Sequence, residues 1–220
     1  MRSLKIAALL ALLPLAASAQ DPAKVDPRHY KVLADNAVVR VLKVNFGAGE
    51  KSPMHSHPDA VLVPLANGKA RFTMPDGKTQ DLELTAEAAA YTPSFSHSPA
   101  NTGTGPIDAI LVEIKQKTGA AATLPAARPG MAMKVLAEGP GAVAYRSTLA
   151  PDFHEAAGST HDFDQVVVAL GSADMTLAVE GRPIVKRWQR GDVQFIGRGV
   201  KHESKNGSGK PVDVVIVALK

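Results

Sequence analysis

The chain contains no cysteine among its 220 residues. Disulfides and thiolate metal sites are thereby excluded, and any bound metal must be held by nitrogen or oxygen donors. Aromatic residues are scarce at 5%, with one tryptophan. Phe46, Phe72, Tyr91, Phe95, Phe163, Trp188 and Phe195 fall at strand-like positions, where a small barrel fills its interior with side chains. No strong charge of one sign is present: 25 basic residues face 21 acidic ones, a formal +4. The basic residues are scattered rather than striped, which argues against a nucleic-acid face. Beyond the first residues no apolar run reaches membrane-span length, so no membrane anchor is expected.

The start of the chain reads as a secretory signal over residues 1–19. Arg2 and Lys5 supply the positive region, residues 6–15 a short apolar core, and Ala17-Ser18-Ala19 a small-residue cleavage site. Mature protein is expected to begin at Gln20 and to be periplasmic or secreted. No cysteine follows the cleavage site, which excludes a lipidated N-terminus.

The remainder contains one unit twice. Lys31-Val32-Leu33-Ala34-Asp35 matches Lys134-Val135-Leu136-Ala137-Glu138, and Val61-Leu62-Val63-Pro64-Leu65 matches Val166-Val167-Val168-Ala169-Leu170. Ile110-Leu111-Val112-Glu113-Ile114-Lys115 matches Val215-Ile216-Val217-Ala218-Leu219-Lys220. The offset is about 103 at the start and about 105 from the apolar run onward, so one small slip separates two copies of a domain. The expected organisation is a first domain over 24–117, a Gly/Ala/Pro-rich linker over 118–130, and a second domain over 131–220. Each copy shows short Val/Ile/Leu-rich strands broken by turns such as Pro75-Asp76-Gly77 and Glu180-Gly181-Arg182. That pattern predicts an all-β sandwich or barrel.

The chemistry gathers in Gly49-Glu50-Lys51-Ser52-Pro53-Met54-His55-Ser56-His57-Pro58-Asp59. Alternation along a strand points His55 and His57 to one face and Ser56 to the other. Neutral imidazole is the commonest protein ligand for transition metals, so the pair offers two adjacent donors. A third histidine, His97, follows in Pro93-Ser94-Phe95-Ser96-His97-Ser98-Pro99-Ala100-Asn101, on a later strand from which it is expected to reach across the barrel. Tyr91 and Phe95 flank it.

These segments resemble the two motifs of the cupin superfamily. Gly49, five residues, His55-Ser56-His57 and the closing Gly68 match the first. Pro93, His97 and Asn101 match the second, with one residue missing before the histidine and without its glycine. The family's glutamate position falls at Ala60. The resemblance implies two tandem double-stranded β-helix (cupin, jelly-roll) barrels, a bicupin, with a three-histidine site of His55, His57 and His97 in the first. Asp59 is an alternative carboxylate, although Pro58 interrupts its strand.

In the second copy Ser159-Thr160-His161-Asp162-Phe163-Asp164-Gln165 replaces the histidine pair. His161, Gln165 (at the family's glutamate position) and His202 form a reduced second set; loss of the site to packing is the equal alternative. His154 and Glu155 are expected in exposed loop, and His29 at the surface.

The resemblance implies one divalent transition metal (Fe, Mn, Ni, Cu or Zn) and a small-molecule ligand or substrate; a homodimer is allowed. Three-histidine cupins resemble dioxygenases, with Tyr91 and Asp59 as the candidate catalytic side chains. The alternative is a cupin that binds a metal or small ligand without turnover, since no nucleophile stands beside the histidines. A metal-free structural pair of barrels leaves His55 and His57 unexplained. Metal loading outside the cytosol favours Cu(II) or Zn(II) over Fe(II), and zinc carries no redox chemistry.

Overall fold

A computed structural model of the chain describes residues 20–117 and 128–220. The leader over 1–19 and most of the expected linker lie outside the described residues.

One short helix, α1 (Pro22–Val25), precedes the strands; Asp21 caps it by accepting from the Ala23 N–H, and Pro22 needs no hydrogen bond in the first turn. The first half then runs β1 (Tyr30–Asp35), β2 (Val39–Phe46), β3 (His55–His57), β4 (Ala60–Pro64), β5 (Gly68–Thr73), β6 (Thr79–Leu84), β7 (Ala90–Thr92), β8 (Phe95–Asn101) and β9 (Ile107–Ile114). The second half runs β10 (Met131–Gly139), β11 (Ala142–Leu149), β12 (His154–Ser159), β13 (Gln165–Ala169), β14 (Ala173–Val179), β15 (Arg182–Trp188), β16 (Val193–Ile196), β17 (His202–Asn206) and β18 (Val212–Leu219).

Each half is a pair of facing antiparallel sheets. The first half orders β1-β2-β9-β4-β7 in one sheet and β3-β8-β5-β6 in the other. The second half repeats both orders element for element, as β10-β11-β18-β13-β16 and β12-β17-β14-β15. Tandem duplication is thus written in the topology as well as in the sequence.

The unbroken apolar runs have a physical cause. On β9, Ala109 and Leu111 face the interior of the first half, while Ile110, Val112 and Ile114 join a cluster that includes Val166, Val168, Val215 and Val217 of the second. The five-stranded sheets of the two halves therefore pack on one another. Their central strands are buried on both faces, which replaces the usual alternation by continuous hydrophobicity. The outer sheets face solvent on one side and keep mixed polarity.

Two asparagines tie the loops in equivalent ways. Asn101 Nδ2 donates to the carbonyls of Phe46, Gly47 and Gly105; Asn206 Nδ2 donates to those of Leu149, Ala150 and Lys210. At the β14–β15 hairpin Glu180 and Gly181 both take positive φ, 51° and 74°, as a two-residue turn of the primed type demands.

Candidate metal centre

His55 and His57 lie on β3 and His97 on the neighbouring β8, with His55 directly paired to His97. The third histidine is thus adjacent to the pair in the same sheet rather than across the barrel. All three are buried, and one ligand nitrogen from each lies within 4.8 Å of the others. Ser56 points the other way, its hydroxyl 2.5 Å from that of Ser96.

The hydrogen bonds fix which nitrogens are free. His55 Nδ1 lies 2.8 Å from the Pro53 carbonyl oxygen, which can only accept, so Nδ1 carries the proton and Nε2 a lone pair. That Nε2, and both ring nitrogens of His97, are buried without a hydrogen-bond partner. His57 Nδ1 lies 2.7 Å from Glu113 Oε1, a carboxylate–imidazole pair of the kind that orients metal ligands. Burial, reinforced by the neighbouring His57, pulls the His55 pKa down to about 4; burial and the other two imidazoles pull His97 down to about 2. At neutral pH both rings are uncharged donors. Buried lone pairs with no proton to accept are costly, and one divalent cation satisfies the lone pair of His55 Nε2 and that of one His97 nitrogen together. The residues present therefore fit a metal ion.

Glu113 is the feature that the motif comparison misses. It sits on β9 directly opposite Ala60, so the carboxylate absent from position 60 is supplied from the adjacent strand. Arg40 Nε donates to its other oxygen at 2.6 Å, and Arg40 Nη1 donates to Asp21 at 2.6 Å. A lone glutamate in the apolar run of β9, matched by Ala218 in the second copy, was the available signal. Tyr30 is a second omission: its ring stacks edge-on to His55, centroids 4.9 Å apart, and burial raises its phenol pKa above the ordinary value.

Asp59 and Tyr91 meet each other and not the imidazoles. Pro58 and Asp59 form the corner where the chain leaves β3 for β4 in the other sheet, so strand parity does not carry Asp59 inward. Its carboxylate accepts from the Tyr91 hydroxyl at 2.7 Å and the Ser94 N–H at 2.9 Å, and pairs with Lys117 at 2.8 Å. The Tyr91 oxygen also accepts from the Gly141 N–H at 3.2 Å, at the seam between the halves. Its donor and acceptor are committed there, away from the three imidazoles. Burial and Asp59 push its pKa up to about 12.

His29 is also corrected from surface to core. It is buried, stacked on Phe46 at 4.1 Å, and held between Asp26 and Glu50.

A cavity of about 240 Å³ opens beside His57 and His97. Phe46, Leu62, Phe72, Phe95, Ile107 and Leu111 are among the residues that line it, with Glu83 also present, and among the described residues no Lys or Arg lines it.

In the second half, strand pairing places His202 where His97 stands and Ser159 where His55 stands, since Ser159 pairs with His202. Glu155, expected in loop, is buried on β12 with its carboxylate toward His161 and His202. His154 is exposed, as expected, but on a strand. Gln165 is buried and lines the second half's cavity, outside the trio of Glu155, His161 and His202.

Paired sheets in tandem around a three-histidine cluster define a bicupin fold. No family model matches the chain, and no curated protein matches it. Among solved structures, a salicylate 1,2-dioxygenase from Pseudaminobacter salicylatoxidans superposes with a TM-score of 0.61 at 10% identity, over 83% of this chain and 71% of that one. AerE from Microcystis aeruginosa gives 0.60 at 12% identity, over 87% and 97%. A cupin 2 conserved barrel domain protein from Leptotrichia buccalis gives 0.56 at 10% identity, over 87% and 88%. At these identities the likeness establishes the fold.

Proposed function

We propose that the protein is a metal-dependent cupin oxidoreductase of dioxygenase type that acts on a small molecule outside the cytosol. The observation that carries this reading is the set of buried imidazole nitrogens of His55 and His97 without partners, His97 lying at the wall of an apolar cavity. His55, His57 and His97 would hold the ion. A redox-active ion in that place would supply coordination of an oxygen-bearing substrate together with electron transfer to oxygen. The protein's own contribution is to keep the His55 and His97 rings neutral, to orient His57 through Glu113 and Arg40, and to exclude water from the substrate body.

The cavity also narrows the substrate. It exceeds the roughly 150 Å³ that accommodates benzene in an engineered apolar cavity, which suits a monocyclic compound with small substituents. With no cationic side chain in the wall among the described residues, an anionic group away from the ion would be desolvated without a counter-charge. The favoured substrate therefore has an enolic or phenolic head that meets the ion and an uncharged, apolar body. Such a site differs from one built for a free carboxylate remote from the metal.

The test is elemental analysis of protein purified from its own compartment, followed by oxygen uptake with enolic and phenolic compounds. Uptake that needs both a redox-active ion and His97 supports the enzyme. Tight ligand binding without uptake, in protein carrying such an ion, supports the non-catalytic binding module instead.

A further inference from the structure

The second half carries a cluster that this function leaves unused. One donor atom each from Glu155, His161 and His202 lies within 4.8 Å of the others. Glu155 Oε2 is 3.3 Å from His202 Nε2, and Glu155 Oε1 is 3.8 Å from His161 Nε2. The three side chains are only 9%, 9% and 1% exposed. His202 Nδ1 lies 2.9 Å from the Val200 carbonyl oxygen and so carries the proton. In the neutral ring Nε2 is then the lone-pair nitrogen, and it is buried with no aligned hydrogen-bond partner. This is the same condition that marks His55 in the first half.

We propose that Glu155, His161 and His202 form a second divalent-cation site, weaker than the first, and that Arg128 competes with the cation for Glu155. Two imidazoles and one carboxylate suit a borderline first-row ion such as Zn(II) or Co(II). The fold explains why the donor set differs between the copies. In the first half Lys51 bridges Ala100 and His55 pairs with His97; in the second His154 pairs with Lys205 and Ser159 with His202. The second copy therefore holds one more residue in this segment, absorbed where the pairing shifts and where Gly158 takes φ +80°. The insertion leaves Ser159 at the place of His55. Glu155, at the place of Ser52, supplies the missing donor from the start of the same strand.

Arg128 makes the site conditional. Its guanidinium pairs with Glu155 Oε1, while Oε2 accepts from the Ser204 hydroxyl at 3.1 Å. The carboxylate is thus already balanced by a side chain, and an incoming ion has to displace or share it. The apparent affinity falls by the fraction of molecules in which Glu155 is released. In the first half Glu113 is likewise held by Arg40, but there the carboxylate is behind a ligand rather than a ligand itself.

The experiment isolates the second half in the full-length mature chain. The His55→Ala/His97→Ala protein, stripped of metal, is titrated with Co(II) followed by absorption and with Zn(II) by calorimetry. Circular dichroism checks the fold of every variant. The expected result is one ion per chain, weakened at least roughly tenfold by Glu155→Gln or His202→Gln and tightened roughly tenfold by Arg128→Ala. A folded double variant that binds no ion overturns the site, as does binding that the Glu155 and His202 variants leave unchanged. Binding that Arg128→Ala leaves unchanged or weakens overturns the competition.

Discussion

Ala60 and Glu113 stand opposite one another on neighbouring strands, and the equivalent pair in the second half is Gln165 and Ala218. A polar group is kept on this rung of both sheets, but on different strands. In the first half it is a carboxylate bonded to His57, so Glu113 acts through His57 rather than by binding the ion. Glu113→Ala is therefore expected to weaken metal binding by about 10- to 100-fold without removing any of the three ligands. Asp59→Asn, by contrast, is expected to leave metal affinity unchanged. Calorimetric titration of both variants with one metal checks the difference, and a large loss in Asp59→Asn would restore Asp59 as a ligand.

The seam between the halves depends on a close approach. A Cβ on Gly139 would lie 2.3 Å from the Tyr91 ring, so Gly139→Ala is expected to cost about 1–3 kcal/mol through overpacking. Tyr91→Phe removes a hydroxyl bonded to Asp59 and Gly141 and is expected to cost about 1 kcal/mol. Neither change should alter metal content. Denaturant unfolding with parallel elemental analysis tests both, and metal loss in folded Tyr91→Phe would return that residue to the site.

Acid should destabilise the metal-free protein earlier than its carboxylates alone would require. His55 and His97 have folded pKa values near 4 and 2 against 6.5 when exposed. Below pH 6.5 the unfolded chain takes up protons that the folded chain refuses, so stability falls as pH falls. Each histidine contributes a slope of about 1.4 kcal/mol per pH unit, His55 down to about pH 4 and His97 further. Above pH 6.5 neither contributes. Unfolding of the stripped protein across pH 4–7 should show this slope, and His55→Phe/His97→Phe should flatten it. An equal slope in both proteins would count against buried neutral imidazoles.

The cavity makes a separate prediction. Ala70→Leu adds bulk to the wall on β5 and is expected to weaken binding of a phenolic ligand by at least roughly tenfold, since overpacking a filled site costs about 1–3 kcal/mol. Metal content should stay at the parent level. Equal ligand affinity in parent and variant would place the ligand elsewhere.

Much of this architecture was legible in the sequence because duplication repeats its hydrophobic runs at a near-constant offset, and because His55, His57 and His97 belong to short motifs. What was not legible depends on contacts across strands. Glu113 lies 56 residues from His57 and looks like an interruption in an apolar strand until β9 is set beside β4. Asp59 follows the right parity on paper, but the chain changes sheets at Pro58. His29 looks like a surface histidine until Phe46, Asp26 and Glu50 close around it. Glu155 joins its cluster only once the pairing of β12 with β17 sets it beside His161 and His202.

The central claim is that His55, His57 and His97 bind one metal ion. Its most direct test is a crystal structure of the metal-loaded protein with anomalous scattering recorded at the metal's absorption edge. The account predicts the strongest peak between the three rings, with His55 Nε2, His57 Nε2 and one nitrogen of His97 each about 2.0–2.1 Å from it for zinc. A first half without a peak, or with the three rings turned away from a common point, would contradict it.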